Sequence, residues 1–345
     1  MVATDSVLGF KAEYFDPLPQ LVKTYVVKYF TKTHEVEMQD IKAHRTFLKR
    51  SKLPDSILPS DFQIDNQVLV YGRVLKLVGY ADPATESQLG PKTTRQLVFL
   101  APSIYSDFGA VLEQLEANDF SLLKIKTLGL VGNEAATAGE LLGCDGRKFE
   151  EGMGLSLAMV VRGNNSGRVG DILSSWGDAV SCTGSEKALD YFFSQSWPTT
   201  ATLDSCTLCL VKAHAVKAKN TGSIIKSIQS QGYEVSAVES FTLDRAVAGE
   251  FFELYRDVVD GFRAHLDELV SGPIVALEIR AEDAVQTFRK SAGPYDVEMA
   301  KELFPSSLRA KFGDSNVRNA VHCTDLPTDG KSECSYFFDI LHAEA

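Results

Sequence analysis

The chain has 345 residues, 44% of them hydrophobic and 23% charged, with a formal net charge of -11. This is a globular composition with room for two or three domains, and its acidic balance argues against DNA as a partner, because a phosphate backbone demands a basic face. No basic-then-apolar start and no apolar run of membrane-spanning length stands in it, so the expected setting is cytoplasmic, without a membrane partner.

Residues 8–91 read as an all-β module. Tyr25-Val-Val-Lys-Tyr-Phe30, Val68-Leu-Val-Tyr71 and Val74-Leu-Lys-Leu-Val78 are rich in the β-branched and aromatic residues that suit a pleated, half-buried surface. Thr31 to His34 reads as a turn, and Glu35 to Met38 as the next strand. Lys42, His44, Arg45, Lys49 and Arg50 then cluster within nine residues, a basic island on an acidic chain. Such an island is either a solvated strand face or a docking patch for an acidic surface. Tyr14-Phe15-Asp16 together with the run from Val36 to Arg50 resembles the DM-ten domain, a small β-rich, PH-like module found largely in ciliary and flagellar proteins. The resemblance implies an axonemal, microtubule-associated setting, and tubulin's acidic surface is compatible with the island.

Pro83 to Pro91 reads as a polar linker into a second domain, residues 93–198. There Arg95 to Leu100 and Phe120 to Ile125 read as strands, and Phe108 to Ala117 as an amphipathic helix with Phe108, Val111, Leu112 and Leu115 on one side. A Gly/Ala-rich helical stretch, a buried strand over Gly154 to Val161 and a helix over Ser185 to Phe193 complete it. This order suggests a ferredoxin-like α+β unit. It has no histidine, and Gly163-Asn-Asn-Ser-Gly-Arg168 lacks the spacing and lysine of a phosphate loop, so a turn is expected there.

Residues 203–341 repeat the order. Cys206 to Val211 reads as a buried strand, so Cys206-x-x-Cys209, with no second pair, is expected to bind no metal. Thr221 is placed to cap a helix whose apolar side is Ile224, Ile225 and Ile228. Tyr233 to Val238 and Pro273 to Ile279 read as strands, with helices near 246–257 and 262–270 between them. Near the end stands Val317-Arg318-Asn319-Ala320-Val321-His322-Cys323-Thr324-Asp325-Leu326. An imidazole is a proton carrier and a nucleophile near neutral pH, though a lone histidine is as readily structural.

The residues around it carry a resemblance to nucleoside diphosphate kinases: Leu210 to Val216, Gly222 to Ile228, Ser271 to Glu278, Phe288-Arg289, Leu308 to Phe312, Val317 to His322 and Glu333 to Phe338, in the family's order. The implied fold class is α+β: a β-rich PH-like module followed by two tandem ferredoxin-like (βαββαβ) nucleoside diphosphate kinase-type domains. The resemblance gives His322 the nucleophile's place, where it would take the γ-phosphate as phosphohistidine and pass it on, and Glu333 the place of the carboxylate that orients it. Lys212, Arg289 and Arg309 match cations that hold the phosphates, and Asn319 matches the residue at the sugar. Phe252 takes the place of a tyrosine near the phosphates, and Phe262 that of the base-stacking phenylalanine. The implied cofactor is Mg2+ with ATP or another nucleoside triphosphate. Departures are plain: the family's Lys-Pro-Asp reads Lys212-Ala213-His214, Gly293-Pro294-Tyr295 replaces a threonine-bearing loop, and Cys323 follows the histidine where glycine is usual. In residues 93–198 Ala101 stands for the lysine, and the loop bearing Arg, Asn and His is missing, so that domain is expected to be inactive. Weighed together, the resemblances make a microtubule-associated structural protein of the ciliary axoneme, with tubulin and axonemal neighbours as partners, the first expectation. An active nucleoside diphosphate kinase is the alternative.

Overall fold

The structure, a computed structural model, describes residues 7–16, 19–89, 94–150, 154–163 and 168–344. It divides into two compact units, residues 1–92 with 243–272, and residues 93–242 with 273–345.

In the first unit, β1 (Val7–Asp16), β2 (Leu21–Phe30), β3 (Glu35–Asp40), β4 (Arg45–Lys52), β5 (Gln67–Val70) and β6 (Arg73–Tyr80) form an antiparallel sheet in the order β4-β3-β2-β1-β6-β5. Alternation along β2 sends Tyr25, Val27 and Tyr29 into a core with Phe10, Phe62, Leu75 and Leu77. Tyr29 stacks on Phe62 at 4.1 Å between ring centroids. The stretch read as a linker contains a helix, α1 (Pro83–Leu89). Asp82 accepts the Thr85 N–H and hydroxyl, each at 2.8 Å, and Pro83 starts the first turn, where a missing N–H costs nothing. Pro91 lies outside the described residues.

The second unit runs β7 (Thr94–Leu100), α2 (Phe108–Ala117), β8 (Ser121–Gly129), α3 (Asn133–Leu142), β9 (Leu155–Gly163), α4 (Val169–Ile172), β10 (Val180–Thr183), α5 (Glu186–Phe193), β11 (Cys206–Val211), α6 (Ala213–Lys217), α7 (Thr221–Gln229) and β12 (Glu234–Phe241). Between β12 and the next strand the chain gives α8 (Arg245–Phe252) and α9 (Phe262–Leu269) to the first unit. The second unit then continues with β13 (Ile274–Arg280), α10 (Ala284–Ala292), α11 (Val297–Leu303), α12 (Leu308–Phe312), β14 (Val321–Cys323) and α13 (Gly330–Ser335). The turn expected over Gly163 to Arg168 falls largely outside the described residues.

Its eight strands make one sheet in the order β10-β7-β9-β8-β12-β13-β11-β14. Read from β14, the last four give the fourth, first, third and second strands of the C-terminal part, the ferredoxin-like order. The first four run the same way from β10. The halves join where β8 meets β12 at Lys126 and Glu239, whose charged groups lie 3.6 Å apart. Every position of β11 is buried, and so are Ile274 to Ile279 of β13. Strands covered on both faces lose polar alternation, which is why these read as continuous apolar runs.

Helices α2 and α7 touch backbone to backbone. A Cβ on Gly109 would meet the Lys226 nitrogen at 2.4 Å, and one on Gly222 the Glu113 nitrogen at 2.1 Å. This contact also corrects the expected cap. Thr221 is the first helical residue and Asn220 makes no side-chain cap bond, while Glu116 of α2 accepts the Gly222 N–H at 2.7 Å. The orphan donor of α7 is satisfied by a carboxylate more than a hundred residues earlier in the chain.

Candidate active site

The register of β11 against β14 builds the site. Leu210 lies opposite His322 and Val211 opposite Val321. The next pair continues the ladder, with the Lys212 N–H donating to the Ala320 carbonyl at 2.9 Å. Lys212, last residue before α6, is buried, and its ammonium donates to the Val317 carbonyl at 3.0 Å. One pairing thus brings the chain after the first strand of the C-terminal part beside the turn that carries Arg318 and Asn319.

Glu333 arrives from α13. That helix lies close on β11, because Gly330 has no side chain: a Cβ there would stand 2.3 Å from the Cys206 carbonyl oxygen. The approach sets the Glu333 carboxylate 2.9 Å from His322 Nε2, with the two side chains 12% and 8% exposed. Thr324 Oγ1 donates to the same oxygen at 3.0 Å and accepts the Leu208 N–H at 3.1 Å. Thr324 was missed in the sequence reading. Its signal was position, since two residues beyond His322 on an extended chain it shares that residue's face. A carboxylate only accepts, so Nε2 carries the hydrogen and the imidazole lone pair lies on Nδ1.

The cations sit nearby on separate elements. Arg309, buried in α12, donates to the Gly293 carbonyl at 2.9 Å, to the Val321 carbonyl at 3.2 Å and to Cys323 Sγ at 3.7 Å. Among the described residues no carboxylate pairs with it, so its charge is not neutralised there. Arg289 of α10 is half-exposed, donates to the Asp325 carbonyl and lies 3.4 Å from that residue's carboxylate. Asn319 is 1% exposed; its Nδ2 reaches the Tyr295 carbonyl at 3.5 Å, and its Oδ1 is buried without a partner. Burial pushes the Cys323 thiol up from its usual range, with Arg309 opposing, so the thiol beside His322 stays protonated.

Phe252 and Phe262 belong to the first unit, where their rings stack at 5.9 Å. Phe252 also stacks on Tyr255 and His265, and Arg256 lies 4.9 Å over the Phe262 ring. Lys42, His44, Arg45, Lys49 and Arg50 are exposed on β4 and the turn before it, at the edge of the six-stranded sheet. Arg50 bonds to Glu35 and Thr33 and stacks over Phe30 at 3.8 Å. Cys206 does not meet Cys209. Its sulfur lies with Glu278 and Cys334, all within 4.8 Å, and the Glu278 carboxylate already takes the Thr202 and Leu203 N–H groups and the Ser236 hydroxyl. In the other half of the sheet, β10 pairs with β7 as β14 pairs with β11. The segment after Arg168, where the loop bearing Arg, Asn and His is missing, therefore still holds a strand. Counting back from Ala101 as from Lys212, the place of His322 falls to Ser181, opposite Phe99.

A model of the nucleoside diphosphate kinase family matches residues 205–342. Nucleoside diphosphate kinase homolog 7 of Rattus norvegicus is 34% identical over 371 aligned residues, covering 96% of this chain and 93% of the relative. The Mus musculus homolog 7 is 33% identical with the same coverage. The nucleoside diphosphate kinase of Aquifex aeolicus is 34% identical over 139 residues, 39% of this chain and 94% of its own. A crystal structure of the Aquifex aeolicus nucleoside diphosphate kinase covers 40% of this chain and 97% of its own at 32% identity, with a TM-score of 0.38. The chain belongs to the nucleoside diphosphate kinase homolog 7 family, with a nucleoside diphosphate kinase domain over residues 205–342.

Proposed function

We propose that residues 205–342 transfer phosphoryl groups between nucleotides through a phosphohistidine on His322. The observation that carries this is the His322–Glu333–Thr324 chain of bonds, with the buried cations Lys212 and Arg309 on the adjoining elements. The Nδ1 lone pair attacks the γ-phosphorus of a nucleoside triphosphate, the bond from that phosphorus to the bridging oxygen breaks, and the nucleoside diphosphate leaves. The β-phosphate oxygen of a second nucleoside diphosphate then attacks the same phosphorus, the N–P bond breaks, and the imidazole is restored. Glu333 holds the ring's tautomer and balances the positive charge it gains on phosphorylation. Lys212, Arg289 and Arg309 offset the phosphate charge. The unpartnered Asn319 Oδ1 fits a donor such as a sugar hydroxyl. Family membership implies Mg2+ with the nucleotide, and the donors here, cations and a carboxamide, suit a metal that arrives bound to the phosphates of its substrate.

Incubation with ATP labelled at the γ-phosphate tests the reading. An acid-labile, base-stable label on the native chain that is absent from His322→Ala is expected; a native chain without label overturns it.

The exposed basic edge at β4 favours a second role beside this one. We propose that residues 8–91 are a DM-ten, PH-like module docking on an acidic microtubule surface of the ciliary axoneme. Residues 93–198 are, in the same reading, a second nucleoside diphosphate kinase-type domain retained without chemistry, with Ser181 where a nucleophile would stand. Charge reversal at Lys42, Arg45 and Lys49 should weaken cosedimentation with microtubules, and undiminished binding would remove the docking role.

A further inference from the structure

We infer that His214 is a positioning residue for the phosphoryl-transfer centre: its imidazole holds the Ala320 peptide in the left-handed conformation from which β14 presents His322. The inference rests on the phosphoryl-transfer reading of the site.

Ala320 has φ of 67°. Outside glycine, this region crowds the Cβ against the backbone and is strained. The residue is fully buried and stands directly between Asn319 and the strand that carries His322. Something must hold it there, and two bonds from one short segment do. The Ala320 carbonyl accepts the Lys212 N–H at 2.9 Å, and the Ala320 N–H donates to His214 Nε2 at 3.2 Å. Lys212 and His214 flank Ala213, the buried first residue of α6, so both ends of the strained residue are gripped across one step of chain.

The bond to His214 is the one a side chain supplies. It needs an acceptor at Nε2, which a neutral imidazole with its hydrogen on Nδ1 provides. Without that acceptor a buried N–H is left unpaired, and Ala320 relaxes toward negative φ. Rotation there shifts the strand on which His322 is carried. His214 acts through this backbone, not on the phosphate, so its loss should slow the attack while leaving nucleotide affinity nearly unchanged.

The test uses the full chain with His214→Phe, which keeps a ring and removes the acceptor, and His214→Gln, which offers a carbonyl oxygen at a similar reach. Two quantities are followed: phosphohistidine formation against ATP concentration, and hydrogen exchange of the Ala320 amide. His214→Phe should label about tenfold more slowly at saturating ATP, with half-saturation within about twofold of native, and its Ala320 amide should exchange about tenfold faster. His214→Gln should return both to within about threefold of native. If His214→Phe and His214→Gln label at the same rate, or the Ala320 amide of His214→Phe exchanges as in the native chain, the inference is overturned. A native chain that takes no label removes the kinase reading instead. Exchange then decides the clamp by itself, supporting it when His214→Phe deprotects the Ala320 amide and His214→Gln restores its protection, and overturning it in any other case.

Discussion

Glu333→Gln keeps the volume and the hydrogen-bonding head beside His322 and removes the charge. The carboxylate lies 2.9 Å from Nε2, and both side chains are nearly buried. As Nδ1 bonds to phosphorus the ring becomes cationic, and its bond to Glu333 becomes charge-assisted, worth about 1.5–3 kcal/mol. Coulomb attraction between unit charges 4 Å apart at an effective dielectric of 20 sets a ceiling of about 4 kcal/mol. A loss of about 2–3 kcal/mol in the transition state slows phosphohistidine formation about 30- to 150-fold. Thr324→Ala removes one of the two bonds described to the carboxylate and should cost about 1 kcal/mol, roughly fivefold. Rapid quenching of a single turnover with γ-labelled ATP gives the rates, and calorimetric titration with ATP shows whether binding is preserved. A Glu333→Gln chain that labels within about threefold of native would refute the reasoning, because the carboxylate would then be doing no more than filling space.

Burial pushes the Glu116 carboxyl up to about 7, against the opposing Gly222 N–H bond, so its contribution to stability is full below about pH 4.5 and is lost as pH rises through 7. Urea unfolding should show the native chain losing about 3 kcal/mol more than Glu116→Gln between pH 4 and pH 8, and parallel losses in both chains would clear Glu116. Gly330→Ala places a methyl group 2.3 Å from the Cys206 carbonyl oxygen and must push α13 off β11. A stability loss of about 1–3 kcal/mol together with slower labelling is expected in thermal melts and quench assays, and native behaviour in both would contradict the close docking of α13.

Some of this was legible in the residues, and for identifiable reasons. Strands β11 and β13 read correctly because strands covered on both faces are apolar throughout. Lys212, Arg309, Asn319, His322 and Glu333 keep their order along the chain; the β11–β14 pairing draws Lys212, Asn319 and His322 together, while Arg309 comes on α12 and Glu333 on α13. The strain at Ala320 was invisible, since alanine in the left-handed region gives no sign of itself where glycine would have. The role of Thr324 depends on a carboxylate arriving from another element, and the cap on α7 on a glutamate in α2. Pattern over a short window carries no such information. Helix α1 lies in a stretch read as a polar linker; its seven residues are too few for an apolar period to show, and Pro83 stands in its first turn, where proline suits a helix start. Strand β10 is four half-buried residues long, too short for any periodicity to show.

Strand β14 is the outermost of its sheet, three residues long and hydrogen-bonded to β11 on one side. Its Val321 carbonyl is held by the guanidinium of Arg309, Nε and Nη2 each at 3.2 Å. An exposed strand edge is normally a template for a passing chain; here a cation occupies part of it. Arg309 is therefore a tether as well as a charge. An anion that recruits it competes with the carbonyl that restrains the nucleophile's own strand, so occupancy of the site and freedom of β14 are thermodynamically linked.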